Sequence, residues 1–545
     1  MNIDNVIKRI LKERGITGEK EIAEFLSPKP QLTYDPFLLL NMKEGVDLNL
    51  DTAKSGGKIC IFGDYDADGV TSVTILKTVL DYLTDQVIYF VPSRFEDGYG
   101  LNKQAIKNIK EQGVNLIVTV DCGITSVDEV AYAKELGMDI LVTDHHSVPE
   151  NKPDCLIINP KQEECTYPFK HLAGCGIAFK MAQAIQRTAN LPRQVIKKVL
   201  DVVAIGTIGD IVPLTGENRT IVKYGMKQLE KTQNKGIYAL KNKILKGAEH
   251  IGSEQVSFSI VPHLNAAGRM ESANIGIQLF LEDDLGKANQ IADYLVDLNT
   301  RRKDIQEETY QVATNLYDNI YQNQLFPMIL MEDAHEGIAG IVAGKMKDYC
   351  YKPVAILTDC GDGNLKATCR SIEKVDIYEV LSASKDLYVK FGGHKGACGF
   401  TISKENFPQL KENTENYMKK FGDDVFVPEL NYDLELKGYE LSIELVEELQ
   451  KLEPFGCCNE KPYFLLKNCF VTNVRYMGKN MNHMRVTVNL DGYKGLVCIL
   501  FNYDGEQKEI LTENEYVDLY GTLQINYWNN QKSLQFLISN IKEGF

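Results

Sequence analysis

Apolar residues in the first third of the chain come in short, nearly unbroken runs, and between those runs they recur every three or four positions. The runs, rich in β-branched residues, predict strands at Lys58–Gly63, Gln86–Val91, Asn115–Val120, Asp139–Val142 and Cys155–Asn159. Helical spacing intervenes near Val70–Leu83, Lys103–Gln112 and Val127–Leu136. Uniformly apolar strands alternating with helices predict a parallel sheet covered on both faces, with ligands gathering beyond the carboxyl ends of its strands. Ahead of it, residues 1–50 predict short helices around a proline-rich break from Ser27 to Pro36, packed on the sheet domain next in the chain. From Leu285 to about Gln322 the helical spacing runs on with no glycine or proline after Gly286, which predicts one long helix connecting two lobes. The second lobe opens with strand-like PMILM, then His335 before a small-residue helix, and continues through PVAILTD and LKATCRSI. From about Glu429 the period changes to two over five short segments, which predicts a small antiparallel barrel.

The chemistry gathers at the predicted strand tips. The first strand runs into GDYDADGVTS, with Asp64, Asp66 and Asp68 at alternate positions and no lysine or arginine inside the motif. Carboxylates held that close repel one another, and a hard divalent cation is the natural neutraliser. An aspartate-rich turn with a helix cap is the plain alternative. The third strand places Asp121 at its tip, the fourth places Asp144, His145 and His146, and VVAIGTIGDIVPL carries Asp210 just after another apolar run. Any one of these can be a cap, a surface histidine or a turn residue. Jointly they offer the oxygen and imidazole ligands with which two manganese or magnesium ions, roughly 3.5–4 Å apart, clamp a phosphoryl group.

Composition narrows the setting. At 545 residues the chain is too long for one core and implies several domains. No apolar run reaches the length of a bilayer span and the N-terminus has no signal-peptide core, so a cytoplasmic protein is expected. Thirteen scattered cysteines, two of them adjacent at 457 and 458 and none in a CxxC pair, read as free thiols with no zinc framework. A net charge of −15 weighs against a nucleic-acid partner, since phosphate binding relies on lysine and arginine. Locally the balance reverses, because Lys461, Lys467, Arg475, Lys479, Arg485 and Lys494 accompany a single acid, Asp491, between Lys461 and Leu500. Tyr476, Tyr493 and Phe501 lie in or beside that stretch, and Tyr527 and Trp528 come later. Cations for a backbone and rings for unstacked bases suit a single strand, whereas a solvated barrel with core aromatics is the alternative.

GDYDADGVTS, VTVDCGI, TDHHSVP and IGTIGDIVPL, in this order, resemble the successive motifs of the DHH phosphoesterase superfamily. SIVPHLNAAGRME and PFGCCNEKPYF resemble RecJ, its single-strand-specific exonuclease branch, and FGGHKGACGF is similar to the signature of the DHH-associated second domain, DHHA1. The resemblance implies an α/β protein: a parallel-sheet DHH catalytic domain over 51–284, a connecting helix over 285–322, a smaller α/β DHHA1 domain over 323–428, and a C-terminal OB-fold barrel over 429–545, after the helical segment 1–50. It implies Asp66 and Asp121 on one divalent cation, Mn2+ or Mg2+, and Asp68, Asp121, His145 and Asp210 on the other. Some members carry a histidine four residues before the first metal-binding aspartate; Phe62 stands there, and Asp64 is the candidate substitute. His146 is then a phosphate contact or the proton donor to the leaving oxygen. Substrate contacts are expected from Arg94, on a loop with Gly98, Tyr99 and Gly100, and from Asn265 and Arg269 in a Gly/Ala-rich turn. The glycine loop of Gly393 and His394 adds to them, as do Arg370 and Ser371, which match a Ser-Gly-Arg-Ser element that begins here with Thr368 and Cys369. HLAGCGIAFKM reads as packing ahead of a helix. The implied activity is 5′→3′ exonucleolysis of single-stranded DNA from a free 5′ end, releasing 5′-mononucleotides in repair and recombination, with single-strand-binding protein and a helicase as partners. Phosphodiesterases of nano-RNA or cyclic dinucleotides, and a non-catalytic strand-binding scaffold, are the rival readings.

Overall fold

The structure is a computed structural model that describes residues 3–94, 100–246, 250–528 and 531–544. Its first sheet contains β1 (Lys58–Gly63), β2 (Val87–Phe90), β3 (Val114–Val120), β4 (Asp139–Thr143) and β5 (Leu156–Ile158). All neighbours are parallel, in the order β2-β1-β3-β4-β5. The period of two divides each strand between two cores: Ile59 and Ile61 face one, with Val118 and Leu141, while Cys60 and Phe62 face the other, with Ile117 and Val142. Burial on both faces is why these strands carry no polar alternation. The helix after β1 begins at Ala67, three residues earlier than its apolar spacing predicts, because Asp66 caps it.

The long helix, Leu285–Leu316, ends in a wide turn over Tyr317–Tyr321. Ala288, Ala292, Leu295 and Leu298 pack into the first lobe, and Ala313 packs into the second with Ile338, Val342 and Met346. That lobe is built on β6 (Met328–Leu330), β7 (Val354–Asp359), β8 (Asn364–Arg370), β9 (Tyr388–His394) and β10 (Ala397–Ser403), ordered β6-β7-β8-β10-β9. Only β6 and β7 run parallel in this sheet.

The C-terminal part holds β11 (Leu434–Glu435), β12 (Phe464–Met477), β13 (His483–Leu490), β14 (Tyr493–Phe501), β15 (Tyr516–Trp528) and β16 (Gln531–Glu543). β12-β13-β14-β16-β15 form a circuit that β12 closes on β15, making a five-stranded barrel in which β14 and β16 run parallel. The N-terminal residues divide between two partners, the sheet domain next in the chain and the distant barrel. Val6, Ile7, Ile10 and Leu11 join the barrel's core, and Arg9 pairs with Glu440 at 2.9 Å. Leu39, Met42, Val46 and Leu50 instead complete the core beneath the parallel sheet. Among the described residues no helix is long and apolar enough to cross a membrane. All thirteen cysteines are free, and most are buried.

Candidate active site and metal centre

Four segments converge beyond the carboxyl ends of β1, β3 and β4. After β1 the chain turns through Asp64 and Asp66, and Asp66 Oδ1 accepts from the N–H groups of Asp68 (2.9 Å) and Gly69 (3.1 Å) to start the helix. After β3, Asp121 takes φ = 61°, a left-handed conformation that costs a non-glycine residue about 1–2 kcal/mol and collects at functional sites. After β4, the Asp144 carboxylate accepts from the backbone N–H groups of Ile124, His145 and His146 and pairs with His146 Nδ1 at 2.7 Å. Asp144 thus orients the two histidines from behind. The fourth segment differs from its expected place on the sheet edge: Asp210 follows a helix, Leu200–Gly209, whose burial on nearly every side makes it as apolar as an inner strand.

These side chains form interlocking groups. Ligand atoms of Asp64, Asp66 and Asp121 lie within 4.8 Å of one another, as do those of Asp68, His145 and Asp210, and those of Asp121, His145 and His146. His145 Nε2 lies 3.1 Å from Asp121 Oδ1 and 3.9 Å from Asp68 Oδ2, and its Nδ1 lies 3.6 Å from Asp210 Oδ2. Yet His145 Nε2, Asp210 Oδ2 and Asp64 Oδ1 are buried without a hydrogen-bond partner among the described residues. Buried polar atoms are otherwise nearly always satisfied. Donor atoms converging on one another, all carboxylate oxygen or imidazole, fit divalent cations of the manganese or magnesium class.

The electrostatics agree. Burial, then the charge of Asp66, pushes Asp64 up to about 8 and Asp68 up to about 7. Burial, then Asp68 and Asp66, pushes Asp210 up to about 9, and burial with the same neighbours holds Asp121 well above the carboxylate range. Burial and the neighbouring His146 push His145 down to about 3, so it stays neutral and able to ligate. Burial opposes protonation of His146 as well, but the Asp144 carboxylate prevails and raises it. Without added positive charge the acidic cluster can be accommodated only by taking up protons.

Residues that sequence reasoning read as packing, or did not use, complete the frame. The N–H groups of Gly174 and Cys175, at the start of the helix Gly174–Thr188, donate to Asp68 at 2.6 and 2.8 Å. A Cβ on Gly174 would stand 2.6 Å from that of Asp121, so glycine is what admits the helix end to the cluster. The small residues of AGCGI are the only trace of this in the sequence, because the donors are backbone. Asn265 and Arg269 do not lie in a turn: Val261–Met270 is helical, since alanine favours helix and Gly268 is needed only where the helix meets the carbonyl of Tyr65, 2.3 Å from a Cβ built there. Asn265 Oδ1 accepts from Ala67 N–H at 2.8 Å, holding the loop of Asp64 and Asp66. Phe62, at the position where some superfamily members carry histidine, stacks on Phe90 with ring centroids 5.3 Å apart.

Facing the cluster is positive charge. The Arg94 guanidinium sits 4.2 Å over the ring of Tyr65 and acts electrostatically on Asp64. Burial, then the charges of Arg94, Arg302 and Arg370, depresses Arg269 to about 10, with Asp66 opposing. Arg269 Nη1 donates to the carbonyl of Gly337 at 3.0 Å, joining the lobes. Gly98 and Tyr99 lie outside the described residues. Ser371 is turned inward, its hydroxyl donating to Val375 O (2.8 Å) and its N–H to Gly396 O (3.0 Å). The glycine loop is in fact a hairpin of β9 and β10, with Gly393 opposite Cys398 and Gly392 opposite Gly399, so much of its backbone is taken up by strand pairing. His394 is exposed at its tip, its Nδ1 accepting from Gly396 N–H at 3.2 Å.

On the barrel, Arg475 of β12 stands directly opposite Arg485 of β13, both exposed and neither in a salt bridge among the described residues. Like charges directly opposed destabilise a strand pair. His483 and Phe501, paired one position along the same face, contact edge to face at 5.1 Å. Tyr476 and Tyr527 are exposed, and the side chain of Trp528 lies outside the described residues.

Comparison with known proteins gives three matches along the chain: the DHH family N-terminal domain over residues 58–207, the DHHA1 domain over 322–420 and the RecJ OB domain over 432–540. The single-stranded-DNA-specific exonuclease RecJ of Bacillus subtilis is 36% identical over 546 residues, covering 99% of this chain and 68% of the relative. That of Salmonella typhimurium is 31% identical over 558 residues, covering 98% and 95%. Among solved structures, RecJ of Thermus thermophilus in complex with Mn2+ matches with a TM-score of 0.84 at 28% identity, over 98% of this chain and 76% of that one. Its Mg2+ complex matches with a TM-score of 0.79 at 26% identity, over 98% and 74%.

Proposed function

The chain belongs to the RecJ family of single-stranded-DNA-specific exonucleases, and from that premise we propose that it degrades single-stranded DNA from a free 5′ end, releasing 5′-mononucleotides. The observation that carries this reading is the buried Asp/His cluster with orphaned donor atoms, set against a group of arginines. In it, Asp64, Asp66 and Asp121 would hold one cation and Asp68, Asp121, His145 and Asp210 a second. Divalent ions bound there would supply polarisation of the phosphodiester and a more acidic attacking water.

The protein's own groups do the rest. Asp144 fixes His146 through Nδ1, so proton delivery to the leaving 3′-oxygen falls to Nε2. Arg94, Arg269 and Arg370 take the terminal 5′-phosphate, with His394 at the hairpin tip beside it. Asn265 and Gly393 act through the backbone they position, and Ser371 reaches a phosphate by giving up one of its inward bonds. The passage between lobes that Arg269 joins admits one strand, which the barrel holds through Arg475, Arg485 and exposed rings. Residues 51–284 are the catalytic domain in this reading, 323–428 the wall opposite, and 429–545 the strand holder. A non-catalytic scaffold has no use for ligand atoms left unpaired in a buried site.

Incubating 5′-labelled and 3′-labelled single strands with manganese, magnesium or chelator tests the proposal. Labelled mononucleotide should leave at once from 5′-labelled strands with either metal and not with chelator. Early release from 3′-labelled strands, or metal-independent release, contradicts it.

A further inference from the structure

Away from the acidic cluster, one turn brings two thiols together. Gly456 N–H donates to Asn459 O at 3.0 Å and Asn459 N–H to Gly456 O at 2.9 Å, so Cys457 and Cys458 are the central residues of a tight hairpin turn. Cys458 has φ = 58°, a conformation that turns ordinarily give to glycine or asparagine. The two Sγ atoms stand 3.7 Å apart, with Cys458 exposed and Cys457 half-buried. The turn is clamped from beneath. Asn459 is fully buried, its Nδ2 donating to Leu452 O (2.9 Å) and Pro454 O (2.8 Å) and its Oδ1 accepting from Arg14 Nη1 (2.6 Å). Leu214 N–H donates to Cys457 O at 2.8 Å, tying the turn to the segment just after Asp210.

Two sulfurs sharing one tetrahedral centre at about 2.3 Å lie roughly 3.8 Å apart, and on a pyramidal centre such as trivalent arsenic they lie somewhat closer, so a small approach of this pair from 3.7 Å makes it a chelate. Closing a disulfide instead would need the sulfurs at about 2.05 Å across adjacent Cα atoms, which lie about 3.8 Å apart and short of the usual 4.4–6.8 Å. Bridging is therefore easier than bonding. A zinc-type ion takes four ligands, and among the described residues no third ligand completes a cluster here. Burial, then the contact with Cys458, pushes the Cys457 thiol up to about 11, which also disfavours a metal that needs thiolates. A trivalent arsenical needs two thiols only.

We propose that Cys457 and Cys458 form a dithiol site for trivalent arsenicals. With R–As(OH)2, two S–As bonds form while both thiol protons and both arsenic hydroxyls leave as two waters. Arsenic stays trivalent and no electrons are transferred. Cys369 and Cys398 also face one another, across β8 and β10, but both are buried and closed to the reagent.

Treating the folded full-length chain with phenylarsine oxide, washing with a monothiol and measuring intact mass tests the site without reference to nuclease activity. One adduct is expected, removable by a dithiol, retained in Cys369→Ser and lost in both Cys457→Ser and Cys458→Gly. The glycine suits the left-handed backbone and so guards against misfolding. An unmodified wild type, an adduct persisting in Cys458→Gly, or one lost in Cys369→Ser overturns the proposal.

Discussion

The tip of the parallel sheet and the open face of the barrel each force like charges together, and they differ in where they do it. At the sheet tip, carboxylates of Asp64, Asp68, Asp121 and Asp210 meet in a buried pocket, and their pKa values rise because burial disfavours the charged form and neighbouring aspartates repel it. On the barrel, Arg475 and Arg485 oppose each other in solvent, where repulsion between strand neighbours amounts to ~0.2–1 kcal/mol. The buried group calls for a compact cation inside the protein. The exposed pair calls for an extended anion that arrives from outside. On the proposed function one region serves reaction and the other holding, so substitutions should affect them unequally.

The largest effect is expected at Asp121, the residue that the proposal places on both cations. Asp121→Asn should lower turnover by about 10³-fold or more, because metal stabilisation is worth several kcal/mol and each ~1.4 kcal/mol is tenfold. Thermal melting of the metal-free variant should occur at higher temperature than wild type, since a repelling charge has gone. Unchanged turnover with labelled strands would remove the distinction between the regions.

Next comes pH. The folded-state values near 7, 8 and 9 for Asp68, Asp64 and Asp210 lie above the ordinary carboxylate value of 3.8, so the metal-free native state binds more protons than the unfolded chain between those limits. Its stability should therefore be greatest below about pH 4 as far as these groups are concerned, and fall as pH rises through 7 to 9. Manganese competes with those protons, so its stabilising shift in melting temperature should be larger at pH 8 than at pH 6. A shift independent of pH would show that the carboxylates do not bind it.

A smaller effect is expected on the wall between the regions. Charge-assisted bonds are worth ~1.5–3 kcal/mol, so Arg269→Ala should lower kcat/KM on 5′-phosphorylated strands by ~10–100-fold and narrow the preference over 5′-hydroxyl strands. Equal losses on both substrates would mean that Arg269 serves only its bond to Gly337. The smallest effect belongs to the barrel. Arg485→Ala should raise KM a few-fold, leave kcat unchanged and reduce the salt slope of strand binding by about 0.7, the value for one phosphate contact on a single strand. A drop in kcat instead would place the barrel in the chemistry.

The same contrast explains what the sequence disclosed. Strand tips were legible because an apolar run ending in aspartate marks both the strand and the edge it points to, as at Asp121 and Asp144. The barrel was legible from its period of two. The donors at Gly174 and Cys175 were not, since backbone N–H groups carry no residue identity. The helix of Asn265 and Arg269 was hidden by a glycine that serves close packing against Tyr65, and the glycines around His394 fit an open loop and a hairpin alike, of which the structure shows the hairpin. The docking of Arg9 and Ile10 on the barrel joins residues more than 400 positions apart, beyond any local pattern.

The central claim is that four segments of chain hold a pair of cations at one point. Calorimetric titration of the full-length protein with manganese at pH 8 tests it most directly. Two ions per chain should bind to wild type with release of protons, and Asp121→Asn should lose both. Uptake of none, or two ions bound unchanged by Asp121→Asn, would contradict it.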